Sequence, residues 1–153
     1  MLYEILLVTI TTMSPLVELN GGIPLGVYLG LDPILTFFVA IFVNSIIFFP
    51  IFFLSGFLYE LIFSKSHFFK KYLDRTRKKA KLYVKKYGYL GLTLFIAIPT
   101  PFTGAYTGTV AAWLLKMDWK KSFLAISVGV IINGIIILLA VLGFLKGLQF
   151  LLN

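Results

Sequence analysis

Pro99-Thr100-Pro101-Phe102-Thr103-Gly104-Ala105-Tyr106-Thr107-Gly108 lies in the middle of an uncharged run that covers residues 87–115. Two prolines and two glycines within ten residues interrupt a helix, because proline lacks the N–H of the helical ladder and its ring clashes with the preceding turn. In water the stretch would be an ordinary turn. In a bilayer, each backbone group that it frees must find a partner, so irregular chain survives only where it is buried in protein or lines a wet cavity. The stretch is therefore a candidate working part. A second one, Ser14-Pro15-Leu16-Val17-Glu18-Leu19-Asn20-Gly21-Gly22-Ile23-Pro24-Leu25-Gly26, has the same character and carries a carboxylate.

Working outward, the whole chain has a membrane composition. Of its residues 59% are hydrophobic, 17% aromatic and only 13% charged, and the mean hydropathy is +0.97. A helical span needs about 20 apolar residues. Uncharged runs cover residues 34–59, 87–115 and 122–145, and 5–31 apart from Glu18. The 153 residues are read as one integral membrane domain, 1–153. Residues 1–13 are apolar but no Lys or Arg precedes them, so the basic start of a cleaved signal is missing and the segment is expected in the mature protein. With no Cys, disulfides, thiolate nucleophiles and sulfur-bound metals are excluded. The net charge of +8 is no sign of nucleic acid, because ten of the fourteen Lys and Arg fall within residues 65–86, between apolar runs; the expected partners are membrane lipids.

In chain order, residues 5–31 suffice for one crossing but not two. Pro15, Gly21, Gly22 and Pro24 break them, so they form either two half-helices that enter and leave on one side or a single kinked crossing. Asp32-Pro33 is a helix start, with Asp as N-cap and Pro in the first turn. The span that follows should kink at Pro50, and Asn44 should hydrogen-bond between helices. In the basic segment, Phe69, Tyr72, Leu73, Ala80, Tyr83, Val84 and Tyr87 recur at helical spacing, which predicts an amphipathic helix in the headgroup plane. It serves as a cytoplasmic anchor, with Arg75 and Arg77 as the residues to grip a lipid phosphate. His67 has no second ligand nearby and no assigned role. Residues 122–145 form the last span, with Asn133-Gly134 as its polar spot and Lys146 at its end.

Charge decides how residues 87–115 run. Cytoplasmic loops collect Lys and Arg, and basic clusters flank this segment on both sides, so it should turn back as a hairpin from the cytoplasm. The two halves also match at a shift of 86 positions: Pro15 with Pro101, Gly22 with Gly108, Asp32 with Asp118, Phe37 with Phe123 and Ile46 with Ile132. The predicted fold is all-α, an inverted repeat of re-entrant helical hairpin plus transmembrane helix. Residues 1–63 form the first half, 64–87 the basic linker helix and 88–153 the second half. Such repeats place binding sites between broken helices near mid-membrane.

Glu18 is the only carboxylate within the apolar runs, and burying one costs at least about 2.5 kcal/mol. It is the first candidate for substrate or ion binding. Asn20, Thr103, Tyr106 and Thr107 offer amide and hydroxyl groups at similar depth. Pro15, Gly21, Gly22, Pro24, Pro99, Pro101, Gly104 and Gly108 are the candidate hinges. One His, no Cys and no close carboxylate pair leave no recognisable nucleophile, acid–base pair or metal site, so neither enzyme activity nor a cofactor is expected.

Pro15, Glu18-Leu19, Gly21, Ile23-Pro24-Leu25-Gly26, Asn44, Tyr87-Gly88, Pro99, Pro101 and Thr103 to Gly108 together resemble the small multidrug export family, which looks like a relative of the DedA and VTT-domain membrane proteins. The resemblance covers nearly the whole chain. It implies paired re-entrant hairpins and transport: export of a small molecule, or flipping of phospholipid or polyprenyl phosphate as in the DedA relatives. Where that family usually carries Arg, this chain has Asn20, so no Arg–Glu pair is carried over. Glu18 then lacks a neighbouring cation in the sequence and is expected to take up and release a proton as access alternates. The expected protein is a multi-pass plasma-membrane homodimer with its basic loops in the cytoplasm. A membrane-shaping or assembly protein without transport is the alternative from another class.

Overall fold

The structure, a computed structural model, describes residues 1–58, 67–100 and 104–152. Pro101 and Thr103 lie outside the described residues, as do the side chains of His67, Phe69, Tyr72 and Leu73. The regular elements among the described residues are α-helices: α1 (Leu2–Thr12), α2 (Glu18–Tyr28), α3 (Pro33–Ile46), α4 (Phe48–Leu58), α5 (His67–Tyr87), α6 (Tyr89–Ala97), α7 (Ala105–Leu114) and α8 (Trp119–Leu152).

Among the described residues, two stretches are long and apolar enough to cross a membrane: Pro33–Phe57, of 25 residues, and Trp119–Gly147, of 29 residues. Asp32 starts the first one as expected, its Oδ1 accepting from the N–H groups of Ile34 and Leu35 at 2.9 Å each. This span is broken at Ile47, between α3 and α4. Pro50 is the cause, since it has no N–H for the Ile46 carbonyl. The second span runs antiparallel to the first. The Phe48 ring lies 5.4 Å from that of Phe123, while a Cβ at Gly134 would come within 2.7 Å of Ile41 Cδ1 and 3.0 Å of Phe37. Lys146 does not end this helix, which continues to Leu152. A lysine bounds the apolar window, but its helix propensity is good and nothing in it breaks the ladder.

The remaining apolar helices are short. Eleven residues in each of α1 and α2 reach about 16 Å, half of a hydrocarbon core. They pack antiparallel, because a Cβ at Gly22 would meet Thr12 Oγ1 at 2.1 Å and one at Gly26 would meet Val8 at 2.9 Å. The break between them falls on residues 13–17, around Pro15. Gly21, Gly22 and Pro24, expected in the break, lie inside α2 instead. The glycine at position 22 permits helix contact rather than a turn. Helices α6 and α7 fold back in the same way. The Asp118 N–H, just beyond α7, donates to the hydroxyl of Tyr89 at the start of α6 (3.2 Å), and a Cβ at Gly108 would meet Ile96 Cδ1 at 2.4 Å.

Helix α8 serves as a depth gauge. Thr93 of α6 donates to the Ala125 carbonyl at 2.9 Å, and the Ile96 carbonyl accepts from Asn133 Nδ2 at 2.8 Å. Val27 and Tyr28, at the far end of α2, share a groove with Val141, Phe144 and Leu145. The α6–α7 pair therefore comes in from the N-terminal end of α8, and the α1–α2 pair from its C-terminal end.

The shift of 86 recurs in the backbone. It superposes the starts of α3 and α8 and falls within one residue at the starts of α2 and α7 and at both ends of α1 and α6. It also relates two left-handed residues, Gly30 at φ 81° and Lys116 at φ 54°. The helix-ending bonds agree: Leu29, Gly30 and Leu31 donate to Leu25, Val27 and Gly26, and Leu115, Lys116 and Met117 donate to Ala111, Trp113 and Ala112.

Part of the apolar face of the basic helix α5 packs against the rest of the protein. Ala80 is buried, and the Tyr83 ring lies 6.0 Å from that of Phe95 on α6. Gly91 allows the approach, since a Cβ there would come within 2.1 Å of the Tyr83 carbonyl oxygen. That part of the face is covered by protein, whereas Arg75 and Arg77 are exposed.

Candidate functional site

The two breaks meet. Pro15 ends α1, and the chain enters α2 through Glu18, whose φ of 49° places it in the left-handed region. A non-glycine residue held there is strained by about 1–2 kcal/mol, and such strain collects at functional sites. The conformation directs the side chain into the protein, where Glu18 is 6% exposed. Its Oε2 accepts from the Ala105 N–H at 2.9 Å, with the amide of Tyr106 also directed at it. These are the first amides of α7, which carry no intrahelical partner and form the positive end of the helix dipole. The carboxylate thus compensates its burial by capping a helix from the opposite half of the molecule.

Gly104 makes the contact possible. A Cβ at this position would fall 1.9 Å from Glu18 Oε2 and 2.5 Å from its Cδ, so no other residue fits without moving the carboxylate. The Gly104 N–H donates to Thr107 Oγ1 (2.9 Å), and the Thr107 hydroxyl lies 3.2 Å from the Gly104 carbonyl. Thr107 therefore fastens the turn rather than facing outward. Tyr106 crosses to the first half and donates its hydroxyl to the Met13 carbonyl, which is freed by the break after α1. Glu18 and Gly104 stand 86 positions apart in the sequence and touch each other.

Asn20 stands apart from this cluster. It lines a groove of about 470 Å³ with Leu16, Val17, Gly21, Pro99, Thr100 and Ile137, and its buried Oδ1 has no hydrogen-bond partner. Of the five predicted binding residues, Glu18, Tyr106 and Thr107 are brought together, Asn20 faces the groove, and Thr103 lies outside the described residues. Of the predicted hinges, Pro15 and Pro99 sit in the two breaks and Gly104 caps α7, while Gly108 sits within α7 against Ile96. Asn44 does not bond between helices as expected: it is fully buried with both amide atoms unpartnered. Its neighbours one turn away on α3–α4, Ile41 and Phe48, pack against α8 through apolar surface. Asn133 takes that bonding role, donating to the Ile96 carbonyl near the end of α6. The Met13 carbonyl was not foreseen, and a backbone acceptor leaves no mark in a sequence.

A family model described as "Putative small multi-drug export protein" matches residues 18–136. The chain belongs to that family. No curated protein and no solved structure matches it. The small multidrug export description supplies the coarse function, export by a membrane protein rather than an enzymatic reaction. The matched segment begins at Glu18, just after the first break, and takes in the second. Among the described residues no group of three or more His, Cys, Asp or Glu could hold a metal ion.

Proposed function

We propose that the protein is a small transporter that moves a small molecule between two opposed re-entrant hairpins, α1–α2 from outside and α6–α7 from the cytoplasm, in an inverted-repeat frame. The carrying observation is the hydrogen bond from the Ala105 N–H to Glu18 Oε2, which joins the tips of the two pairs. Two half-helices that touch only at their tips form a barrier in mid-membrane, and a barrier made of one carboxylate and two amides opens without unfolding a helix. Protonation of Glu18 weakens it, since a neutral carboxyl is a poorer acceptor than a carboxylate. Binding of a proton from one side and its release to the other then couples transport to a proton gradient. In this reading the basic helix α5 faces the cytoplasm of a plasma-membrane homodimer.

The experiment is reconstitution into vesicles with an imposed pH gradient, with labelled small solutes and labelled lipid followed in parallel. Solute movement that responds to the gradient and is lost in Glu18→Gln supports the reading. Glu18→Gln moving solute like the wild type at every pH would refute it. One observation favours a second reading, a lipid flippase. Lys78, Lys81, Lys85 and Lys86 line a surface cleft of about 740 Å³ together with Leu82, suited to collecting anionic headgroups. Movement of labelled lipid without solute would select it.

A further inference from the structure

Helix α5 has two unlike sides. On one, Ala80 is buried, Val84 packs against the core, and the Tyr83 ring lies 6.0 Å from that of Phe95 on α6. At 3.6 residues per turn, Lys78, Lys81, Leu82, Lys85 and Lys86 fall on the opposite side, where they line the cleft of about 740 Å³. All five are exposed. The one ion pair among the described residues joins the Met1 amino group to Glu4, so among them no carboxylate neutralises these four ammonium groups. Like charges held this close repel one another, and a bound anion relieves the repulsion.

The spread of the lysines sets the size of that anion. From Lys78 to Lys86 the helix rises about 12 Å, which leaves part of the row beyond one phosphate and suits two phosphates carried by one molecule. Its source follows from the depth of the cleft. Lys121 Nζ lies 6.0 Å from the ring of Tyr89, the first residue of α6, and Lys120 Nζ lies 5.5 Å from the ring of Trp119, the first residue of α8. Aromatic residues gather at the interface of a membrane with water, so both helices enter the apolar layer at this level. Gly88 alone separates Tyr89 from the end of α5, which puts Lys85 and Lys86 at headgroup depth. Leu82, 74% exposed among the lysines, adds an apolar contact that a lipid can use and a soluble phosphate cannot.

We propose that this cleft is a resident site for an anionic lipid whose head carries two phosphates, a fixed partner of the protein rather than its cargo. The cleft lies on the side of α5 turned away from α6, so a headgroup held there is off the path between the two hairpin tips. The proposal goes beyond the transporter reading and does not depend on it, because binding is measured without transport.

The test titrates the full chain in mild detergent micelles with cardiolipin, which has two phosphates, phosphatidylglycerol, which has one, phosphatidylcholine and inorganic pyrophosphate. Native mass spectrometry counts the bound molecules, and thermal unfolding follows the stabilisation. At equal phosphate concentration cardiolipin is expected to bind at least about 10-fold more tightly than phosphatidylglycerol, the advantage of linking two binding groups, and to raise the unfolding midpoint. Phosphatidylcholine and pyrophosphate should do neither. The triple variant Lys78→Gln, Lys81→Gln, Lys85→Gln should lose the preference, and Arg at the same three positions should keep it. Lys116→Gln, Lys120→Gln, Lys121→Gln removes the same charge from the neighbouring cluster and should leave the preference in place. Equal losses in the two glutamine variants would reduce the binding to net charge and overturn the proposal. So would pyrophosphate binding as tightly as cardiolipin. Labelled cardiolipin crossing proteoliposomes faster than empty vesicles would make the lipid cargo and end the resident site. Glu18→Gln transporting like the wild type would remove the transporter reading and leave the lipid site standing.

Discussion

The two halves of this molecule share a backbone plan and differ in the side chains laid over it. Each has a pair of short helices folded back on itself, a left-handed residue, an aspartate cap and a span. At the equivalent positions one half has Glu18, Asn20 and Val27, and the other has Gly104, Tyr106 and Trp113. A second glutamate at position 104 would clash, since a side chain larger than glycine opposite Glu18 has no room. The comparison teaches that similar helix boundaries give the two halves a similar frame, while the side chains that differ between them make the contact.

The comparison breaks most severely at Gly104. Gly104→Val places carbon atoms where the Glu18 carboxylate lies, so transport in proteoliposomes should fall at least about 100-fold, the effect of losing about 2.7 kcal/mol or more. Membrane insertion should persist, because both spans are untouched. Gly108→Val should be milder, since what it meets is the Cδ1–Cγ1 arm of Ile96, an apolar side chain that breaks no hydrogen bond when it moves. Equal effects of the two would mean that the Glu18 contact is not special.

Tyr106→Asn makes the second half resemble the first. It removes a ring and leaves the Met13 carbonyl without its donor, and about 3 kcal/mol of stability should be lost. Thermal unfolding measures the loss. An unchanged midpoint would mean that Tyr106 does not hold the second half to the first. Asn133→Leu should cost less, about 1–2 kcal/mol, by leaving the Ile96 carbonyl unpaired; denaturant titration in mixed micelles would reveal it.

The smallest effect on stability, and the sharpest test of the opposed orientation, comes from single cysteines in this cysteine-free chain. Lys78→Cys and Lys120→Cys should react with an impermeant thiol reagent from one side of the membrane, and Tyr28→Cys from the other. Reaction of all three from the same side would remove the antiparallel arrangement of the two halves.

The sequence by itself determined the membrane class, because apolar runs of span length and a clustered basic segment depend only on composition and order. It also determined the two breaks at Pro15 and Pro99, the caps at Asp32 and Asp118 and the kink near Pro50, all of which follow from local backbone chemistry. Proline and capping effects act within one helical turn and can be read from neighbouring residues. The few identities 86 positions apart were legible too, and several helix boundaries fall at the same spacing. Tertiary structure alone decided that Gly21, Gly22 and Pro24 stay inside α2, that part of the α5 apolar face meets α6, and that Asn44 lies unpartnered while Asn133 bonds. It alone joined Glu18 to the first amides of α7 and Tyr106 to the Met13 carbonyl. Those contacts link residues 87 and 93 positions apart, and their partners are backbone groups that every residue possesses, so no pattern in the chain marks which of them will be left free and brought together.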